Sequence, residues 1–148
     1  MMRPPTFVDY QALAELRHQV RRFLRFSEQA ARNSGLEPRQ HQLMLALKGL
    51  PEPARPTIRE LAERLQIQHH SAVELVNRLA AGGYVRRRRG NTDRREVLVS
   101  LTVKGDRVLA ELSIDHWAEL RTQGPLLLKA LKKVMQSNNR SRSGKEKN

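Results

Sequence analysis

The stretch "TIRELAERLQIQHHSAVELVNRLAAGGYVRRRRGNTDRREVLVSLTVKG", residues 57–105, decides how this chain folds. Ile58, Leu61, Ala62 and Leu65 recur at three- and four-residue steps, the spacing of one helix face. Thr57 with Glu60 fits the S/T-x-x-E capping box that opens a helix. A second helix, over 69–81, stops at Gly82 and Gly83. Residues 84–89 and 96–101 then read as two strands around a turn at 90–93. Val97, Val99 and Leu101 alternate with Leu98 and Ser100, which places the first three on the anchoring face of a half-buried strand. Thr102 is placed to cap a long following helix.

Two short helices followed by a hairpin is the order of a winged helix-turn-helix. The first helix buttresses the second, which must bury one face and present the other. At about 100° per residue, Ala72, Val73, Val76, Leu79 and Ala80 share the core arc, with Leu75 at its boundary. His70, Ser71, Glu74, Asn77 and Arg78 share the opposite arc, and His69 opens the same segment. Alone, such a face would read as solvated. Beside a basic hairpin it suits the major groove. Arg78 can read guanine or bind phosphate, Asn77 can pair with adenine, and Glu74 can accept from cytosine.

The hairpin concentrates charge. Six arginines fall within residues 86–95 against the single acid Asp93, a local charge of +5. The rigid guanidinium fork suits phosphate oxygens and narrow minor grooves. Successive strand residues face opposite ways, so the run of four cannot all touch one duplex. Arg86 and Arg88 are assigned to DNA with Arg94 and Arg95, and the remaining two to solvent.

The rest of the chain supports a polyanion partner. Its 148 residues make about one domain, and 28 Lys and Arg against 15 Asp and Glu give a net charge of +13. Such self-repulsion favours nucleic acid as partner, with an anionic membrane surface second. No apolar run approaches the roughly 20 residues of a membrane span. The start, MMRPPTFVDY, lacks the apolar stretch of a signal peptide, so a cytoplasmic, nucleoid-associated location is expected. With no cysteine, disulfides and thiolate zinc sites are excluded. The five histidines have no zinc spacing, and no cofactor is called for.

Outside the central stretch, residues 9–33 read as a helix with Leu13, Leu16, Val20, Phe23 and Leu24 on one side and several arginines mostly on the other. Pro38 suits the first turn of a second helix carrying Leu43, Met44 and Leu47. After the helix begun at Thr102, Gly124 and Pro125 are expected to interrupt, with Pro125 opening a last helix. The expected organisation is a helical dimerisation region over 9–35 and 102–136, a winged helix-turn-helix over 36–101, and a disordered basic tail over 137–148.

The quoted stretch resembles the DNA-binding core of the MarR family, the bacterial winged-helix transcriptional regulators. Asp93-Arg94-Arg95 followed by Leu101-Thr102-Val103-Lys104-Gly105 matches the family's wing pattern, and the helical order matches from about residue 9 to 135. The resemblance implies a mainly α-helical homodimer with one small β-hairpin wing per subunit. It makes 69–81 the recognition helix, sends Arg95 to the minor groove and gives Asp93 the task of fixing the wing. Gln66 stands where the helix-turn-helix corner often has glycine, and Gly90 where the wing motif often begins with an acid. The first helix and the last two helices would form the dimer interface, with Leu13, Leu16, Val20, Leu127 and Leu131 as its candidates. The partners implied are double-stranded DNA bearing a palindromic operator, a second copy of the chain, and a small phenolic or aromatic effector. For the effector Arg17, Arg21, His41 and Trp117 are the candidate contacts, although a lone helical histidine such as His41 is more often structural.

Three functions compete. A sequence-specific regulator, most often a repressor in this family, is the first. An architectural or RNA-binding protein with little base readout is the second, favoured by the charge and the basic tail. An enzyme is the third and weakest: no nucleophile–base set, phosphate-cradling loop or metal cluster is visible.

Overall fold

The structure is a computed structural model and describes residues 2–138. It consists of five helices and one hairpin: α1 (Phe7–Asn33), α2 (Pro38–Lys48), α3 (Ile58–Leu65), α4 (His69–Ala81), β1 (Val85–Arg89), β2 (Val97–Leu101) and α5 (Val103–Ser137). The chain divides into two compact units. One holds the residues up to Ser27 with those from Asp115 onward; the other runs from Glu28 to Ile114. Ser137, expected to begin the disordered tail, instead ends α5, and the rest of that tail beyond Asn138 lies outside the described residues.

The unit from Glu28 to Ile114 is a winged helix. Its core takes Leu43, Met44 and Leu47 from α2, Ile58 and Leu61 from α3, and Ala72, Val76 and Leu79 from α4. Val85 of β1, Val99 of β2 and Leu109 and Leu112 of α5 close it. Leu75, expected at the boundary, is buried too, while Val73 and Ala80 are only half-buried. The buried arc of α4 is therefore rotated slightly from the one the sequence suggests.

Local chemistry sets the ends of these helices. Thr57 Oγ1 accepts the Glu60 N–H at 3.1 Å, one half of a capping box. The other half is not made: the Thr57 N–H donates to the Arg55 carbonyl at 2.8 Å, and the Glu60 carboxylate pairs with Arg64 at 3.1 Å one turn along α3. Gln66, at the corner between α3 and α4, adopts the left-handed conformation with φ 54° and ψ 46°. Its N–H returns to the Ala62 and Glu63 carbonyls, so this residue does the work of a helix-terminating glycine. At α5, Thr102 Oγ1 accepts the Gly105 N–H at 3.1 Å and donates to the Gly83 carbonyl at 2.6 Å. One side chain thus caps α5 and ties it to the turn after α4.

The hairpin is antiparallel, with Val85 opposite Leu101, Arg87 opposite Val99 and Arg89 opposite Val97. Tyr84 and Glu96, expected within the strands, flank them instead. Leu98, expected on the polar face, is buried beside Val99. The reason is a third backbone segment: Thr57 forms a bridge with Leu98, and Val99 N–H donates to the Pro56 carbonyl at 2.8 Å. The loop leading into α3 pairs with the edge of β2 that β1 leaves open, beside Leu98.

In the other unit, α1 opens on a charge cluster. Asp9 Oδ2 accepts from the Arg3 guanidinium at 2.7 Å and from the Thr6 N–H at 2.8 Å. Arg3 also donates to the Ser137 carbonyl at 3.2 Å, which joins the lead-in to the end of α5. The Arg3 hydrogen bond first, and the Thr6 N–H second, hold the Asp9 carboxyl below its ordinary pKa. His116 of α5 donates to or accepts from Ser27 Oγ at 2.8 Å and meets Phe26 and Phe23 edge to face.

The expected interruption at Gly124 and Pro125 does not occur: Pro125 lies inside α5, which is continuous to Ser137. A proline removes a single N–H, here the one the Arg121 carbonyl would accept, and apolar side chains continue on both sides of it. Among the described residues, no helix is long and apolar enough to cross a membrane.

Candidate nucleic-acid interface

The exposed side of α4 divides into stripes. His70 and Glu74 point directly away from the buried arc of Ala72, Leu75, Val76 and Leu79, and both are exposed. Ser71 is half-buried at the flank. His69, Val73 and Asn77 follow at four-residue spacing and lean toward the wing. Arg78 leans the other way, and its Nη1 meets the Glu37 carboxylate at 3.2 Å before α2. This pair is exposed on both sides, so it is a weak tether from which phosphate or a base can take the arginine.

The wing is a built structure rather than a loose loop. Gly90 N–H donates to the Glu96 carbonyl at 3.0 Å, and Glu96 N–H to the Asp93 carbonyl at 3.2 Å. The Asp93 carboxylate accepts the Arg95 N–H at 2.9 Å, an Asx turn that presents Arg94 and Arg95. A Cβ on Gly90 would stand 2.7 Å from the Asp93 carbonyl oxygen, so the residue in place of the family's usual acid is required by the turn. Both Glu96 oxygens bind Arg55 Nη1, at 2.8 and 2.7 Å, and fix the base of the wing to the loop before α3.

All four arginines of β1 are exposed, yet they divide by face. Arg87 and Arg89 share the face of buried Val85 and Val99, whereas Arg86 and Arg88 stand opposite Ser100 and Leu98 on the other. It is therefore Arg87, assigned to solvent from the sequence, that lies beside α4, where its Nη1 donates to Asn77 Oδ1. Arg86 and Arg88 lie on the face turned away from that contact. The missed signal was present: Val85 is the apolar residue that sets the phase of the strand.

These residues surround two hollows. One, of about 440 Å³, lies between α3, the start of α4 and the wing, with Arg59, His69, Arg87 and Arg95 in its wall beside Asp93 and Glu96. The other, an open trough of about 630 Å³, runs along the wing between Arg87, Arg88, Arg89, Arg94 and Arg95. The trough is lined almost wholly by arginines, a surface whose charge suits a polyanion.

Residues 34–96 match the family model described as MarR family. The winged-helix segment is that of the MarR family. Solved structures with the MarR fold cover nearly the whole chain. AbsC, a MarR family transcriptional regulator from Streptomyces coelicolor, is 20% identical over 97% of this chain and 99% of its own, with a TM-score of 0.73. Overoxidized AbfR bound to DNA is 20% identical over 86% of this chain and 92% of its own, with a TM-score of 0.59. BpsR of Bordetella bronchiseptica, whose DNA binding is regulated by 6-hydroxynicotinic acid, is 20% identical over 86% of this chain and 97% of its own, with a TM-score of 0.63. No curated protein sequence matches the chain. The chain thus has the fold of these MarR structures, with the winged-helix elements in the same order.

The remaining candidate residues fall in separate units. His41 is 3% exposed within the winged helix, so it offers no surface to a ligand arriving from solvent and is a core residue. Arg17, Arg21 and Trp117 belong to the other unit and are exposed; Trp117 borders a shallow depression with Leu120 and Arg121. Of the interface candidates, Leu13 is 52% exposed and Leu131 42%, Val20 is exposed, and Leu16 and Leu127 are half-buried.

Proposed function

We propose that this chain is a homodimeric, sequence-specific DNA-binding transcriptional regulator, acting as a repressor in the cytoplasm on an operator with twofold symmetry. The observation that carries the reading is the union of an outward polar α4 face and a guanidinium-lined wing on one compact unit. On this reading α4 enters the major groove with His70, Ser71, Glu74, Asn77 and Arg78, and His69 stands at its start. Arg94 and Arg95 grip the adjacent backbone and minor groove, held by the Asp93 turn, and Arg86 and Arg88 add charge along the wing.

One such helix reads only a few base pairs, so a dimer supplies the second half-site about one helical turn away, or a multiple of it. Large apolar side chains left exposed on α1 and α5 support the dimer. Leu13, Val20 and Leu131 would otherwise stand in water, and Leu16 and Leu127 extend the same surfaces. BpsR, regulated by 6-hydroxynicotinic acid, supports a small aromatic effector. Arg17, Arg21 and Trp117 are its contacts on this reading.

Genome-wide recovery of DNA bound by the full chain, with and without candidate phenolic acids, tests the function. Enrichment of one inverted repeat at promoters is expected, with loss of occupancy on adding the effector. Uniform recovery of all sequences would favour an architectural protein. Sedimentation should give a dimer that Leu131→Glu converts to monomer; a monomeric parent chain would contradict the twofold reading.

A further inference from the structure

Arg87 does more than add charge to the wing. Its guanidinium donates to Asn77 Oδ1, and the two side chains join β1 to the outward side of α4. The joining follows from the fold. Arg87 sits opposite Val99 on the face of the hairpin that packs toward the core. His69, Val73 and Asn77 form the α4 stripe nearest that face, and His69 and Val73 line one cavity with Arg87.

The consequence is chemical. A free asparagine amide offers one acceptor and two donors, which is why it pairs with the N6 donor and N7 acceptor of adenine. With Arg87 occupying one lone pair of Oδ1 and its guanidinium standing beside that oxygen, a base edge meets the amide chiefly through its NH2. The guanidinium beside it carries donors alone. Together they form a donor-only couple, and the major-groove edge that matches it is guanine, with its adjacent N7 and O6 acceptors. Adenine presents its N6 donors against the same couple and is disfavoured.

We propose that Arg87 is a positioning and specificity-determining residue that switches Asn77 from an adenine reader to a guanine reader. The inference rests on the DNA-reading role of α4 proposed above. It adds a base preference and a residue that sets it from the wing.

The test is selection from a randomised duplex pool with the full chain, Asn77→Ala, Arg87→Ala and Arg87→Lys. Asn77→Ala marks the position that Asn77 reads by erasing the preference there. At that position the parent chain should favour G·C over A·T by about fivefold or more. Arg87→Ala should shift the preference toward A·T by a similar factor, and Arg87→Lys, which can still donate to Oδ1, should retain G·C in part. Both side chains are exposed, so thermal unfolding should be nearly unchanged in all variants. An A·T preference in the parent chain would overturn the inference. So would an equal loss of affinity for all sequences in Arg87→Ala, since Arg87 would then be a phosphate contact only. A parent chain with no base preference at all would contradict both this inference and the proposed function. A second arm needs no DNA: Arg87→Ala should move the NMR cross-peak of the Asn77 side-chain amide in the free protein. An unmoved peak overturns the inference whatever the function.

Discussion

Gly105, in the first turn of α5, lies against the backbone of Tyr84 just before β1. A Cβ on Gly105 would stand 2.1 Å from the Tyr84 carbonyl oxygen and 3.2 Å from Leu101 Cδ2. The same carbonyl accepts the Thr102 N–H at 3.0 Å, so it cannot move aside without losing that bond. The close approach gives a physical reason for the glycine of the L-T-x-x-G pattern. It lets the helix begin directly under the wing.

Gly105→Ala should therefore destabilise the fold by about 1–3 kcal/mol, the range for an overpacked site with little room to relax. For a chain of this length, that lowers Tm by roughly 2–4 °C for each kcal/mol. Urea unfolding followed by circular dichroism measures it. A midpoint equal to that of the parent chain would show that the contact relaxes freely.

Gln66 gives the opposite sign. Its φ of 54° is a left-handed conformation that costs a residue with a Cβ about 1–2 kcal/mol. Glycine relieves that cost but gives back about 0.5–1 kcal/mol of backbone entropy. It also loses the bond from Gln66 Nε2 to the Glu63 carbonyl at 2.8 Å, which is exposed and weak. Gln66→Gly should leave stability equal or raise it by up to about 1 kcal/mol, whereas Gln66→Val should lower it. A destabilised glycine variant in the same urea titration would contradict this account of the corner.

At the other end of the chain, acid should act through Asp9. Its carboxyl is held below the ordinary value by the Arg3 guanidinium and then by the Thr6 N–H. A carboxyl with a depressed folded pKa stabilises fully above its unfolded pKa, about 3.9, and the contribution is lost as pH falls through the folded value. Arg3→Gln removes the largest cause. Its acid unfolding limb should move to higher pH than that of the parent chain, while the two agree in shape near neutrality. Superimposable limbs between pH 2 and 6 would show that the Arg3–Asp9 pair does not report on folding.

Much of this architecture could be read from the residues. The stripe of Ile58, Leu61 and Ala62, the stop at Gly82 and Gly83, and the Thr102 cap each specify local structure by themselves. Three things could not be read so directly. Leu98 is buried by the loop at Pro56 and Thr57, a long-range contact that strand alternation does not encode. Pro125 lies within α5, and the local proline signal does not register that the helix continues past it to buried Ala130. Arg87 does not stand out from its neighbours in the sequence, because four identical side chains carry no phase of their own; only Val85 before them does. The interface itself was legible as charge, but its internal wiring, Arg87 to Asn77, Arg78 to Glu37 and Arg55 to Glu96, needed the fold.

The wing should show its role in salt dependence. Arg94 and Arg95 are exposed and presented by the Asp93 turn. Each phosphate contact contributes about 0.9 to the slope of log K against log salt. Arg94→Ala with Arg95→Ala should weaken binding and reduce that slope by about 1–2. An unchanged slope would show that these side chains do not neutralise phosphates.

The central claim is that α4 reads bases while the wing supplies charge. Fluorescence anisotropy on one selected palindromic duplex and its scrambled counterpart, at physiological salt, tests it most directly. Specific sites are bound about 10³-fold or more tighter than non-specific DNA by proteins of this kind. The account predicts a difference of that order, removed when the outward α4 residues are replaced by alanine. Equal affinity for the two duplexes would contradict it.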